Sequence, residues 1–239
     1  MDIGALRDAA CLANRELARL GLVFLAFGNA SVVDRATDRV AIKPSGAICA
    51  DLEPDDLVVL SLTTGEPSSS AARPSSDTPT HLELYRRFPG IASIVHTHSP
   101  YATAWAQARR EIPALGTTHA DHFRGPVPVT RDLTPVEVDT EYETHTGRVI
   151  VDRFVDHGLD PLEVPAVLVA AHGPFAWGAS PEAALDHAAA LEAVATIATY
   201  QAALGPLETL DPGLLDRHFD RKHGPAAYYG QPARIGADR

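Results

Sequence analysis

Three histidines stand where apolar segments of the sequence end, and imidazole nitrogens are good ligands for Zn²⁺. His96 and His98 close the run Ile91–His98, and their spacing of two places both side chains on one face of an extended strand. His172 follows a second apolar run, Val164–Ala171. Three neutral imidazoles with one open position suit Zn²⁺ acting as a Lewis acid, with Mn²⁺ or Co²⁺ as replacements.

Asp77 is a candidate fourth ligand or a carboxylate beside the ion. A simpler interpretation competes with the metal site. Among 11 histidines an HxH pair also arises by chance, and His172 could be an ordinary hydrogen-bonded residue at a strand end. Spacing alone leaves both interpretations open.

Segments rich in Gly, Ser and Asn offer the groups that a single phosphate binds: hydroxyls, an amide, an ammonium and accessible backbone N–H groups. The residues in question are Asn29, Lys43, Ser45, Gly46, Ser75 and Ser76. Turns are the alternative explanation of this composition. The sequence has no GxGxxG motif and no P-loop, so it does not indicate a dinucleotide or a nucleoside triphosphate.

Two further clusters contain groups that can exchange protons. Asp121 lies in the segment Thr117–Phe123, which by itself would more often be a loop. Near the C-terminus a tyrosine can donate a proton to an alkoxide, although tyrosines there more often pack. That cluster comprises His218, Lys222, His223, Tyr228 and Tyr229.

The elements that position these residues begin with an amphipathic helix and continue with strands. Apolar residues at helical intervals predict a helix over Ile3–Leu20. A hairpin is predicted from Ala30–Val33 and Val40–Ile42, which flank a polar turn, and Leu57–Leu62 is a further strand candidate. Ile91–His98 and Val164–Ala171 are β-branched runs consistent with buried strands.

Four helix starts pair a hydroxyl residue that can cap with a proline at the first helical position. They are Thr78-Pro79, Ser99-Pro100, Thr134-Pro135 and Ser180-Pro181. Strands alternating with helices predict an α/β layered domain. We expect one catalytic domain over 1–231 and a short C-terminal tail over 232–239.

Composition narrows the classes of function. A chain of 239 residues with 45% hydrophobic content can build one substantial core. Its net charge of −11 without a basic stripe argues against a nucleic-acid partner. No apolar run approaches the roughly 20 residues of a membrane-spanning helix. With no such run and no basic segment leading into an apolar one near Met1, we expect a cytoplasmic protein. Only two cysteines occur, Cys11 and Cys49, far from CxxC spacing, so we expect neither a disulfide framework nor a thiolate metal site.

Together these segments resemble the class II aldolase and L-ribulose-5-phosphate 4-epimerase family over nearly the whole chain. The most specific matches are Lys43-Pro44-Ser45-Gly46, Ser75-Ser76-Asp77-Thr78-Pro79-Thr80-His81, His96-Thr97-His98-Ser99, Gly116-Thr117-Thr118-His119-Ala120-Asp121, His172-Gly173-Pro174-Phe175-Ala176-Trp177-Gly178 and Arg221-Lys222-His223-Gly224. The resemblance implies a mainly antiparallel central β-sheet flanked by helices.

The resemblance also implies roles for single residues. His96, His98 and His172 would bind the metal with Asp77 beside them, and the six phosphate candidates would hold a phosphorylated ketopentose. Asp121 and Tyr229 would be the acid/base pair, with His218 assisting. Family members form homotetramers with sites between subunits, which explains a functional residue near the C-terminus.

The implied activity is a 4-epimerase of arabinose catabolism that interconverts L-ribulose 5-phosphate and D-xylulose 5-phosphate. Related aldolases carry Glu where Asp77 stands, which favours epimerase over aldolase. Two features depart from the epimerase pattern: Ser99–Thr103 is more like the aldolase version, and His122 and Arg124 replace aromatic residues. The rivals are a class II aldolase of the L-fuculose-1-phosphate type and a non-catalytic module like the adducin head, which would have lost its metal ligands.

Overall fold

A six-stranded antiparallel sheet forms the centre of the part of the chain that the computed structural model describes, residues 1–68 and 72–229. The strands, in chain order, are β1 (Asn29–Asp34), β2 (Arg39–Ile42), β3 (Val58–Ser61), β4 (Ser93–His96), β5 (Ala166–Leu168) and β6 (Pro174–Gly178). Their order across the sheet is β3-β2-β1-β4-β6-β5, and each neighbouring pair is antiparallel. This single α/β domain with an antiparallel sheet confirms the expected fold class.

Helices cover both faces of the sheet. They are α1 (Ile3–Arg19), α2 (Thr78–Arg87), α3 (Pro100–Gln107), α4 (Thr117–Ala120), α5 (Pro135–Asp139), α6 (Tyr142–Asp156), α7 (Pro181–Leu204) and α8 (Pro212–His223). Helices begin at or beside all four predicted hydroxyl-proline pairs, but the hydroxyl caps the helix only at Ser180 and at Thr134, which makes the predicted capping box with Glu137. At α2 the residue preceding the helix is Asp77, and the Thr78 hydroxyl instead donates to the Ser75 carbonyl at 2.6 Å.

Each face of the sheet has its own apolar core. On one face α2 and α6 pack on the sheet, and the rings of Phe88, Phe154 and Trp177 meet there with centroids 5.3–5.4 Å apart. On the other face α1, α3 and α7 bury small and branched side chains, with Trp105 at the edge of that cluster. Burial on both faces explains why the central strands are nearly continuous apolar runs in the sequence.

Buried Asn14 fixes α1 to β1, the strand that begins with Asn29. Its amide nitrogen donates to the Ala10 and Ala30 carbonyls at 2.8 and 2.9 Å, and its oxygen accepts from Ala30 N–H at 2.8 Å. All the hydrogen-bonding groups of this fully buried amide have polar partners. Its burial therefore does not incur the free-energy cost of an unsatisfied donor or acceptor.

Several elements differ from the sequence prediction. Strand β4 ends at His96 rather than His98, because the Thr97 hydroxyl accepts a bond from Ser99 N–H and α3 begins at Pro100. Strand β6 and helices α6 and α8 were not predicted from the sequence. Strand β6 was missed because Gly173-Pro174 suggested only a turn, whereas the strand starts at Pro174 itself.

The predicted boundary between 231 and 232 lies outside the described residues. Both cysteines are buried and unpaired, as expected from their spacing. Among residues 1–68 and 72–229, no helix combines the length and the apolar character needed to cross a bilayer.

Candidate metal centre and active site

The end of β4 sets the position of His96. In the sheet His96 pairs with Asn29 on one side and Phe175 on the other. Its ring stacks on that of Phe175, with centroids 4.2 Å apart, and its Nδ1 lies 2.9 Å from the Pro174 carbonyl. A carbonyl only accepts hydrogen bonds, so Nδ1 donates and Nε2 is left for a metal.

His98 and His172 complete a triad with His96. The ring centroids are 4.9 Å apart for His96 and each of the other two, and 5.2 Å apart for His98 and His172. One ligand atom from each ring lies within 4.8 Å of the others. The strand spacing predicted that the first two would meet, and the sheet brings His172 to them because it precedes β6, the neighbour of β4.

Two imidazoles of the triad, those of His98 and His172, favour the neutral form. Burial, together with the nearby His96 and His98, lowers the pKa of His172 to about 4, and burial lowers the pKa of His98 as well. Neutral imidazoles are the form that coordinates a metal. Three imidazole donors with no thiolate among them fit a divalent ion such as Zn²⁺, so the triad is positioned to bind one.

Asp77 lies beside the triad. Burial opposes ionisation of its carboxyl, but His96, His81 and the amide of Asn29 together hold its pKa below the usual range. Asn29 Nδ2 donates to Asp77 Oδ2 at 2.6 Å. Among the described residues, the ligand atoms that lie within 4.8 Å of one another belong to the three histidines, and Asp77 is not among them. Direct ligation of the metal by Asp77 therefore stays a prediction.

One cleft joins the metal candidates to the phosphate candidates. Its volume is about 240 Å³. The predicted residues that line it are Asn29, Lys43, Ser45, Gly46, Ser75, Ser76, Asp77, His96, His98 and His172. These residues come from five separate stretches of the chain. Tertiary structure therefore places a cradle of small polar residues next to the histidine triad.

Lys43 is the buried cation of this cleft. Its Nζ donates to the Ala26 and Ala47 carbonyls at 2.8 and 2.6 Å, and an ammonium has three N–H donors. One donor therefore remains for a ligand in the cleft. Burial lowers the pKa of Lys43, and Cys49 and Asp77 act in the opposite direction.

Gly28 lines the cleft at a position where only glycine fits. Its φ is +77°, and a Cβ there would lie 2.6 Å from a Val23 methyl carbon and 2.9 Å from the His96 carbonyl oxygen. Any side chain would displace the backbone that holds His96. In the sequence, Gly28 belongs to one of the segments rich in Gly, Ser and Asn, whose composition indicated only a phosphate site or a turn.

The proton-exchange candidates form a second cluster. Asp121 ends α4, and α8 brings His218 to it, with Nδ1 of the histidine 3.1 Å from Asp121 Oδ1. Tyr229 follows α8 and is half exposed. None of the three lines the cleft of its own chain. The structure thus brings Asp121, His218 and the region of Tyr229 together, but apart from the histidine triad.

The sequence of residues 8–199 matches the family described as Class II Aldolase and Adducin N-terminal domain. The chain belongs to this family. The match covers the histidine triad, Asp77 and all six phosphate candidates, and it ends before α8.

Solved structures of the class II aldolase fold superpose along nearly the whole chain. An L-fuculose 1-phosphate aldolase is 24% identical with a TM-score of 0.76, covering 91% of this chain and 95% of its own. The L-fuculose-1-phosphate aldolase of Thermus thermophilus is 25% identical with a TM-score of 0.64, covering 85% and 98%. A sugar-phosphate aldolase of Thermotoga maritima is 21% identical with a TM-score of 0.64, covering 86% and 97%.

Tyr142 is a residue of this class II aldolase site that sequence reasoning missed. It opens α6 after Glu141, whose φ is +36°, and it lines the cleft. Its hydroxyl lies 3.4 Å from His172 Nδ1. A hydrogen bond to Nδ1 orients a ligating imidazole and leaves Nε2 for the ion. Since α6 was not predicted, no motif pointed to this tyrosine.

We expect Tyr142→Phe to weaken zinc binding about tenfold, because the change removes the hydroxyl that orients His172 and leaves the ring in place. Competition with a metallochromic chelator measures the affinity directly. Tyr101→Phe is the matched control, since its hydroxyl instead pairs with that of Tyr200 at 2.9 Å. Equal zinc affinities in both variants would show that the Tyr142 hydroxyl has no part in the metal site.

Proposed function

We propose that this chain is an L-ribulose-5-phosphate 4-epimerase, which interconverts L-ribulose 5-phosphate and D-xylulose 5-phosphate. The observation that carries the proposal is the short carboxylate beside the triad. The ionised Asp77 carboxylate is held by the 2.6 Å bond from Asn29, and it is one methylene shorter than a glutamate, so it stays back beside the triad. Aldolases of this family use a glutamate at that place for proton transfer, and epimerisation does not require one.

The cleft residues account for substrate binding in this proposal. The phosphate lies against Asn29, Lys43, Ser45, Gly46, Ser75 and Ser76, all of which line the same cleft as the triad. The remaining N–H of Lys43 and the hydroxyls donate to the phosphate oxygens. Zn²⁺ held by the three histidines, or Mn²⁺ or Co²⁺ in its place, would supply Lewis acidity for the negative charge that develops on the ketone oxygen.

The reaction itself breaks and remakes the C3–C4 bond, because C4 carries no acidic proton. One of Asp121 or Tyr229 removes the proton of the C4 hydroxyl. The electron pair of the C3–C4 bond then moves to the ketone fragment, giving its enediolate and glycolaldehyde phosphate. While the phosphate stays anchored, the aldehyde rotates and the bond re-forms on its other face. The opposite residue returns the proton, since the alkoxide arises on each face in turn.

Two subunits contribute to each site in this proposal. Asp121, His218 and Tyr229 do not line the cleft of their own chain, whereas the reaction needs them at the sugar. A homotetramer that places this cluster against the cleft of the adjacent subunit resolves the separation. The molar mass in solution, measured by light scattering, tests the tetramer.

A class II sugar-phosphate aldolase of the L-fuculose-1-phosphate type is the second candidate. Two of the structures that superpose on this chain are aldolases of that type. Both activities would use the same cleft and triad, and they differ in whether the aldehyde leaves. A non-catalytic adducin-like module receives less support, because all three histidines are present and converge.

A substrate panel with the zinc-loaded protein separates these functions. We expect formation of D-xylulose 5-phosphate from L-ribulose 5-phosphate, and the reverse reaction, both followed by coupled assay. Release of free aldehyde and dihydroxyacetone phosphate from L-fuculose 1-phosphate, without pentose interconversion, would instead establish the aldolase. Turnover of neither substrate by protein with full metal content would reject both enzymes.

A further inference from the structure

Arg221 of α8 forms a hydrogen-bonded ion pair with the carboxylate of Asp121. Its Nε and one terminal nitrogen lie 3.1 and 2.9 Å from Asp121 Oδ1, and the same terminal nitrogen lies 2.8 Å from Oδ2. Both side chains are largely buried, with 23% of the arginine and 16% of the aspartate exposed. A partly buried arginine fork of this kind restricts a carboxylate much more than a surface ion pair does.

The same arginine also holds Tyr229. The guanidinium carbon lies 4.3 Å from the centroid of the Tyr229 ring, at cation–π distance. The N–H groups of Tyr228 and Tyr229 donate to the Arg221 carbonyl at 2.9 and 3.0 Å, which turns the chain back over the helix end. One residue therefore contacts both members of the proposed acid/base pair, through its side chain and its backbone.

Other charged and titratable groups complete the surroundings of Asp121. His218 Nδ1 lies 3.1 Å from the same Oδ1, and His223 Nε2 lies 2.8 Å from the Asp121 carbonyl. Burial raises the pKa of the Asp121 carboxyl, but Arg221 first and His218 second outweigh it and keep that pKa below the usual range. The groups from α8, from the end of α4 and from α7 that face this cluster are His218, Arg221, Lys222, His223, His122 and His187.

We propose that Arg221 is the positioning residue of the acid/base pair: it fixes the Asp121 carboxylate and the Tyr229 ring relative to each other. This inference rests on the proposed roles of Asp121 and Tyr229. Nothing in the mechanism requires Arg221 to touch the sugar. Its effect is geometric, because two proton-transfer groups must stay on opposite faces of a rotating aldehyde, and small displacements of such groups are costly.

The test compares Arg221→Met, Arg221→Lys and the control Arg217→Met in the full-length, zinc-loaded protein. Arg217 is exposed on the same helix, one turn earlier. We expect Arg221→Met to lower kcat about 100-fold, while KM stays within about threefold because the phosphate residues are untouched. Arg221→Lys should recover part of the loss, since lysine keeps the charge but not the fork. Arg217→Met should match the wild type.

A readout independent of activity separates this inference from the proposed function. Carboxyl ¹³C NMR, with the Asp121 signal identified by its loss in Asp121→Asn, should show a higher Asp121 pKa in Arg221→Met than in the wild type. The zinc content of the same samples, measured separately, should be unchanged. If the wild type turns over no pentose phosphate, the proposed function fails and the titration still decides the role of Arg221. An unshifted Asp121 pKa, or equal kcat losses in the Arg221 and Arg217 variants, would overturn the inference. Should Arg221→Met not fold, Arg221→Lys carries the same comparison.

Discussion

Replacing His98 with asparagine is expected to abolish metal binding and to lower turnover by more than about 1000-fold, because a bidentate remnant binds a divalent ion far more weakly than three imidazoles. His98 is half buried and outside the sheet ladder, so the substitution leaves the pairing of β4 intact. Metal content by plasma mass spectrometry and the epimerase assay measure the two effects. Stripping the wild type with a chelator should reproduce the loss, and added Zn²⁺ should reverse it.

The matched control is His157→Asn. His157 is an exposed histidine that follows α6 and contacts Arg153. It should keep full metal content and turnover. Turnover that survives in His98→Asn, or in chelator-treated protein shown to contain no metal, would contradict a metal-dependent reaction.

If the proposed function holds, Tyr229→Phe should slow epimerisation by about 100- to 1000-fold with metal content unchanged, since the variant loses one of the two groups proposed to carry the C4 hydroxyl proton. The ring that packs on Arg221 is retained, so the fold around α8 should persist. Steady-state rates in both directions, with zinc measured on the same samples, check the prediction. The phosphate residues are untouched, and we therefore expect the loss in kcat rather than in KM.

Tyr228→Phe is the neighbouring control. Tyr228 is 71% exposed against 50% for Tyr229, and among the described contacts the arginine ring contact belongs to Tyr229. If both variants turn over at the wild-type rate, the C-terminal segment has no part in proton transfer. If Tyr228→Phe is the slower variant, the acid/base role belongs to Tyr228 rather than to Tyr229.

Much of the fold could be predicted because local chemistry agrees with the final structure. The hydroxyl-proline pairs mark the starts of α3, α5 and α7, and the hydroxyls of Thr134 and Ser180 accept bonds from the first turns of α5 and α7. The polar segment between β1 and β2 correctly predicted the turn of their hairpin. Failures occurred where tertiary packing outweighs local signals: β6 begins at a proline because Phe175 and Trp177 are fully buried there.

The sequence by itself determined the chemical groups and their local spacing: a pair of histidines two apart, a third after an apolar run, and small polar segments suited to a phosphate. It could not say which of these groups meet, because residues from five stretches converge only when β1, β4 and β6 become neighbours in one sheet. Strand order depends on burial summed over the whole core and leaves no local mark. The tertiary structure alone placed Tyr142 behind His172 and Arg221 between Asp121 and Tyr229, and it separated that second cluster from the histidine triad of its own chain.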